Sequence, residues 1–255
     1  MRPIDVTEHF NKLGTWVDWK NTTDHYLTGD QNTEITGIAV AWQVRTAALK
    51  KAVEHGCNFF ISHEQLYYHE ISRDEAYEAE KAKFIKDNNL VIYRCHDLWD
   101  QMPEYGIVDS WAAHLGLDTK LNSIKFHSLH RAPRSTVGEL AEYVLDKTKN
   151  LDQDSVQILG NPKARVNAMA IGCGAIVDTP KMLKMGADVI LATEDSLDYW
   201  GRGSWALDHG VPLIIVNHAT SEEPGVRNLA RYVARTFPSV KTIFVPQGCF
   251  FRTVG

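Results

Sequence analysis

Residues 43–64 read QVRTAALKKAVEHGCNFFISHE. The stretch 43–55 suits an amphipathic helix, and Gly56 stands where a helix commonly ends in a left-handed residue. NFFIS is then a nearly unbroken apolar run that turns polar at His63-Glu64. A helix, a glycine stop and a strand that is apolar on both faces form the repeating unit of a parallel sheet covered by helices.

Working outward, the same kind of run recurs at 34–42, 90–95, 155–159, 166–172, 188–193, 212–217 and 241–246. Helical stretches are expected between them. One is the charged segment 72–88, and another covers 136–148 with Ser135 as its N-cap. A third runs from Pro224 to Phe237, with Pro224 in the first turn. Val226, Leu229, Ala230, Val233, Ala234 and Phe237 repeat at the spacing of one buried helical stripe. The fold class expected is α/β, with two linked α/β domains of mixed, largely parallel sheets flanked by helices. The polar segment 120–135 reads as a domain junction, and the aromatic, Gly-rich segment 196–211 as a connection back. The expected division is a metal-binding domain of residues 1–125 plus 212–255 and a second domain of 126–211.

The composition is that of an ordinary globular protein with a mildly acidic net charge of −5. No basic tract appears, so direct nucleic-acid contact is not expected. The four cysteines, Cys57, Cys95, Cys173 and Cys249, form no CxxC pair, which argues against a zinc ribbon or a disulfide framework. Cys95 and Cys173 lie in apolar runs and read as small core residues. The first residues, MRPIDVTEHFNKLG, lack the apolar core of a signal peptide. No run reaches the roughly 20 apolar residues that a membrane span needs. A soluble, cytoplasmic chain with no membrane partner is the expectation.

Three apolar runs end alike. NFFIS leads into His63-Glu64, LVIYRC into His96-Asp97 with Asp100 close behind, and PLIIVN into His218 with Glu222 one turn on. In open α/β sheets ligands bind beyond the carboxyl ends of strands. If these strands are neighbours, their imidazoles and carboxylates meet, and that mixture suits zinc, iron, manganese or nickel. Each motif alone has a bland reading. Asp100 fits an ordinary turn, Glu222 fits a helix N-terminus favoured by the dipole, and a lone histidine after a strand often only packs. The case rests on three such endings in one chain.

Four blocks carry a family resemblance. KKAVEHGCNFFISHEQLYY looks like the "gaD-apolar-apolar-HHPLiF" motif of the Nif-three-like dinuclear-metal family, also called GTP cyclohydrolase I type 2 homologues. YRCHDLWDQMPEYGIVDSWAAHLGL resembles its "aHTNLD…GvnD.LA..LGL" block. VNAMAIGCGAIVDTPKMLKMGADVILATED resembles "GsG…a...GaDvfiTGE", and VPLIIVNHATSEEPGVRNLARYV resembles "GHyaTE..gv..LA..l". The blocks keep the family's order and span nearly the whole chain. The resemblance implies two divalent metal ions per chain, iron, manganese or zinc, held by His63, Glu64, Asp100, His218 and Glu222.

Glu222 and Asp100 are then candidates to bridge two cations, which repel each other at ~4 Å without a shared anion. His96 is expected beside the metals as a hydrogen-bonding partner or proton carrier, a buried structural histidine being the other reading. Glu194 matches a family glutamate, and Tyr67, Tyr68 and His69 could line the pocket or simply begin a helix. The chain departs from the pattern at Glu64, where the family has a second histidine, and at HDLWD in place of HTNLD. It departs again at Ala192-Thr193-Glu194, where Thr-Gly-Glu is usual. A carboxylate at 64 is a harder ligand and shifts preference toward iron, manganese or magnesium. The activity implied is a metal-dependent hydrolase acting on a nucleotide or small phosphoester, with His96 and Glu222 as catalytic candidates. No GxxxxGK[ST] phosphate loop accompanies it. The alternative is a non-catalytic hexameric scaffold, metal store or chaperone, since the resemblance also implies a homo-hexamer.

Overall fold

A computed structural model describes residues 1–67, 74–172 and 174–254. Tyr68, His69 and Cys173, and the first two residues of the helix expected at 72–88, lie outside the described residues. The chain divides into two compact units. One comprises Met1–Gly106 with Val226–Gln247, the other Ile107–Gly225 with Gly248–Gly255.

The first unit is built on β1 (His25–Thr28), β2 (Ile38–Ala41), β3 (Phe59–Ser62), β4 (Val91–Arg94) and β11 (Thr242–Val245), in the sheet order β1-β4-β3-β2-β11. The pairs β11–β2, β2–β3 and β3–β4 are parallel, and β1 joins antiparallel at the edge. β2 and β3 are buried at every residue, which explains their unbroken apolar sequence. α2 (Thr46–Glu54) crosses from β2 to β3 and buries Ala48, Leu49 and Ala52. Gly56 follows at φ +75°, as the sequence requires of a helix stop. α3 (Glu75–Asp87) crosses from β3 to β4, capped by Asp74, whose carboxylate accepts from the Tyr77 N–H at 3.0 Å. α1 (Pro3–Leu13) buries Val6 and Phe10, and the short α4 (Asp97–Asp100) follows β4. Cys95 is buried, in agreement with its sequence.

The second unit holds β5 (Lys120–Ile124), β6 (His127–Arg131), β7 (Gln157–Leu159), β8 (Ala168–Gly172), β9 (Val189–Thr193) and β10 (Leu213–Val216), in the order β5-β6-β8-β9-β10-β7. β8, β9 and β10 run parallel, while β5–β6, β6–β8 and β10–β7 are antiparallel. α5 (Ile107–Leu115) opens the unit, α6 (Val137–Thr148) connects β6 to β7, and α7 (Thr179–Lys184) and α8 (Arg202–Asp208) make the crossovers into β9 and β10. The last helix, α9 (His218–Thr236), has its first two turns in this unit and the rest, from Val226, in the other. Val226, Leu229, Ala230 and Val233 are buried as the stripe requires, whereas Ala234 is exposed.

Several expectations need correction. The segment 120–135 is not a junction but contains the β5–β6 hairpin. β5 is an exposed edge strand and hence polar, and β6 buries its histidines because they find partners. His130 Nε2 lies 2.8 Å from Ser128 Oγ, and the Asp178 N–H donates to His127 Nε2 at 3.2 Å. β10 pairs with β9 and β7, so it belongs to the second sheet and not to the domain that holds β3 and β4. The stretch 196–211 carries α8, whose Ala206 is core, and delivers the chain to β10 within the same unit. The N-cap of α6 is Thr136, not Ser135. Thr136 and Glu139 satisfy each other's backbone N–H in a capping box. Pro224 lies inside α9 and not in its first turn. No described helix is long and apolar enough to cross a membrane.

Candidate metal centre

In the first unit two adjacent parallel strands deliver their ligands side by side, since Ser62 pairs with Arg94 in register. The chain leaves β3 with the Glu64 N–H bonded to Trp42 O at 2.7 Å, so His63 and Glu64 stay anchored to the sheet. His63 is fully buried, and its Nδ1 donates to Cys95 O at 3.1 Å. A carbonyl can only accept, so Nδ1 carries a proton in this bond and Nε2 is the ring nitrogen directed elsewhere. That Nε2 lies 3.4 Å from Asp100 Oδ1. The His63 and His96 rings stack at a centroid distance of 4.5 Å.

Glu64 is divided between neighbours. Arg94 Nη2 donates to Glu64 Oε2 at 3.1 Å, while Glu64 Oε1 stands 3.7 Å from His96 Nε2. His96 Nδ1 donates to Asp97 Oδ1 at 2.9 Å and lies 3.3 Å from Asp100 Oδ2. Asp97 also accepts from Thr22 Oγ1 at 2.9 Å and from the Thr23 N–H and Oγ1, both at 3.1 Å. The bond from His96, aided by these threonines, holds the Asp97 carboxyl well below the usual range, against the effect of burial.

Asp24 supplies the support that sequence reading missed. Its buried carboxylate accepts the backbone N–H groups of His96, of Asp97 at 2.8 Å and of Leu98 at 2.8 Å. Those are the orphan donors at the start of α4, so Asp24 fixes the turn that presents His96 and Asp100. Burial pushes its own pKa up despite the three bonds. No periodicity or motif marks Asp24, which precedes a strand too short and polar to be read.

The second unit repeats the device. Val216 of β10 pairs with Thr193 of β9, so Glu194, Asp195 and His218 emerge from neighbouring parallel strands. His218 Nδ1 donates to Asp195 Oδ2 at 2.6 Å, and its Nε2 faces Glu222 Oε1 at 2.9 Å, one turn along α9. Burial opposes a charge on this imidazole, but Glu222 and Asp195 outweigh it and its pKa is pushed up to about 11. The same attraction holds Asp195 below the usual carboxylate range in spite of its burial.

Glu194 Oε2 accepts the His218 N–H at 2.7 Å. A side chain from another strand therefore caps α9, which is why the helix starts six residues before Pro224. Burial raises the Glu194 pKa. Gly174 closes the arrangement. Its φ is +66°, and a Cβ there would sit 2.8 Å from His218 Nε2 and 2.9 Å from Glu222 Oε1. Thr193 Oγ1 donates to Gly174 O at 2.8 Å and holds the glycine in place.

The donor sets fit a divalent cation. In the first unit His63, Glu64 and His96 each offer one ligand atom within 4.8 Å of the others, and so do His96, Asp97 and Asp100. Both His63 and His218 have Nδ1 tied to an oxygen, so Nε2 is the nitrogen turned toward a carboxylate, as metal-binding histidines are commonly held. The sequence expected β3, β4 and β10 to be neighbours. β3 and β4 are, bringing His63, Glu64, His96 and Asp100 together, while His218 and Glu222 form their own pair with Asp195 and Glu194 in the second unit. Asp195 was missed because it resembles an ordinary acidic turn residue. Tyr67 is partly buried against the core of the first unit.

The chain is 22% identical over 236 residues to a GTP cyclohydrolase 1 type 2 homolog of Clostridium acetobutylicum, covering 88% of this chain and 82% of that protein. A homolog of the same description from Borreliella burgdorferi is 24% identical over 204 residues, 79% of each chain. Among solved structures, the Staphylococcus aureus protein SA1388 superposes with a TM-score of 0.83 at 18% identity, over 100% of this chain and 99% of that one. Reduced HcgD from Methanocaldococcus jannaschii gives 0.75 at 18% identity over 97% and 98%. Residues 3–248 match the profile of Duf34/NIF3 (NGG1p interacting factor 3), and the chain belongs to that family.

Proposed function

We propose that the protein is a metal-dependent hydrolase with a dinuclear centre, whose protein ligands are His63, Glu64, Asp100, His218 and Glu222. The observation that carries this reading is the shared device at His63 and His218. In each, a fixed oxygen partner holds Nδ1 and leaves Nε2 facing a carboxylate. Bound cations would supply positive charge that polarises a substrate oxygen and stabilises the anion developing on it.

The chain's own residues have separable tasks. Asp97 fixes the His96 ring through Nδ1, so its Nε2 is held in one direction, from which it could carry a proton to or from a reacting group. Arg94 positions Glu64 through one carboxylate oxygen. Glu222 offers a carboxylate that can be shared between cations. A nucleotide or small phosphoester is the substrate class favoured, in line with the description carried by the curated relatives.

The rival is a hexameric metal store or scaffold without turnover. Purified protein loaded with manganese, iron or zinc, assayed on GTP and on p-nitrophenyl phosphate, separates the two. Turnover lost in Glu222→Gln and Asp100→Asn supports the hydrolase. Full metal content with no turnover on either substrate favours the rival.

A further inference from the structure

Two tight turns of the second unit close on the His218 ring. Gly174–Ile176 lies between β8 and α7, and Glu194–Ser196 follows β9. The second turn meets the ring at Nδ1, through Asp195 Oδ2 at 2.6 Å. The first meets it at Nε2. Gly174 packs so close that a Cβ there would stand 2.8 Å from that nitrogen and 2.9 Å from Glu222 Oε1. The direction in which Nε2 points therefore depends on the spacing of the two turns.

One side chain spans them. Arg202 Nη1 donates to Ala175 O at 3.0 Å and to Ser196 O at 2.9 Å. This nitrogen carries two N–H groups, one for each carbonyl. Ala175 and Ser196 are the residues next to Gly174 and Asp195, so both bonds act one peptide away from the groups that hold the imidazole. The acceptors lie in the two turns and not in the backbone of α8, which Arg202 begins, so the guanidinium is not spent on its own helix. The anchor is itself fixed. α8 buries Gly203 and Ala206, and the Gly203 N–H donates to Asp198 O at 2.9 Å. Ser196 is buried, so its carbonyl has little water to turn to if the guanidinium is removed. An arginine keeps its proton in proteins, so the link does not loosen with pH.

We propose that Arg202 is a positioning residue for His218: its guanidinium holds the turns 174–176 and 194–196 at one spacing and so fixes the direction in which His218 Nε2 is presented to a divalent cation. The inference rests on the reading of His218 as a metal ligand, and the experiment separates the two. The probe is cobalt(II) added to the full-length protein. Its visible absorption reports coordination geometry, and chelator competition gives its affinity.

Arg202→Met keeps an apolar stem and deletes the donors. It is expected to bind cobalt(II) about tenfold more weakly than wild type, with a changed absorption spectrum. Arg202→Lys returns a charged donor without the planar fork and should recover part of the loss. Thr136→Ala is the stability control, since it breaks the capping box of α6 in the same unit. It should lower the urea midpoint and leave cobalt(II) binding and spectrum as in wild type. Wild-type affinity and spectrum in Arg202→Met would overturn the proposal. An equal loss of affinity in Thr136→Ala would overturn it too, by making the effect one of stability. If the methionine variant does not fold, the lysine variant decides in the same sense. His218→Ala tests the reading beneath. If it binds cobalt(II) as wild type does, His218 is no ligand and both ideas fall. If it loses cobalt(II) while Arg202→Met does not, only the role of Arg202 falls.

Discussion

Arg94 and Glu64 are joined across the carboxyl ends of β3 and β4. The guanidinium Nη2 donates to Glu64 Oε2 at 3.1 Å while its Nε donates to His63 O at 3.1 Å. Both side chains are mostly buried, so the pair is poorly screened. Arg94 thus partly offsets the charge of the carboxylate at position 64, where the family resemblance led us to expect a second histidine. Glu64→Gln keeps the shape and the bond from Arg94 but removes the negative charge. Elemental analysis is expected to show about one metal equivalent per chain fewer than wild type. Unchanged content would mean that Glu64 serves Arg94 and not a metal.

Gly174 predicts a local and severe effect. Alanine there meets both a φ of +66° and contacts of 2.8 Å and 2.9 Å to His218 Nε2 and Glu222 Oε1. Gly174→Ala should cost about 1–3 kcal/mol in denaturant unfolding and also reduce bound metal. Gly56→Ala is the control, with φ +75° and nothing within 4 Å of the added Cβ. It should cost about 1 kcal/mol and leave the metal content alone.

Lys81 gives a pH signature distinct from the metal ligands. Burial lowers its pKa to about 8, against the pull of Glu78, and its Nζ donates to Leu66 O. Its unfolded value is near 10.5, so between about 8 and 10.5 the unfolded chain binds more protons than the folded one. Stability contributed by this group therefore rises with pH across that window. Urea melts at several pH values should show a gain on the order of 1 kcal/mol that is absent in Lys81→Met. A wild-type slope in the variant would assign the effect to another group.

The strands at 58–63 and 188–193 were legible because burial on both faces leaves little but Phe, Ile, Val, Leu and Ala to choose from. The β5–β6 hairpin was not, because an exposed edge strand and a strand of buried histidines that bond to Ser128 and to the Asp178 N–H both look like a polar linker. His63, Glu64, His96, Asp100, His218 and Glu222 stood out by following apolar runs. Asp24 and Asp195 act through partners distant in the chain and nothing in their own neighbourhood gives them a role, while Gly174 falls in the block that resembles the family's GsG motif without showing what it packs against. The start of α9 was misread for the same reason, its cap being Glu194 from another strand.

Asp195 tests whether the orientation of His218 matters in its own right. Its carboxylate only accepts, so it fixes the proton on Nδ1 and aims Nε2 at Glu222. In Asp195→Asn the carboxamide can turn either its oxygen or its NH2 group to the ring, and the negative charge that raises ligand basicity is gone. Chelator competition should then show metal affinity lower by about 10–100-fold, with little change in folding. Asp195→Glu keeps the charge on a longer arm and should recover part of the loss. If asparagine binds metal as tightly as wild type, the Nε2 of His218 is not a ligand.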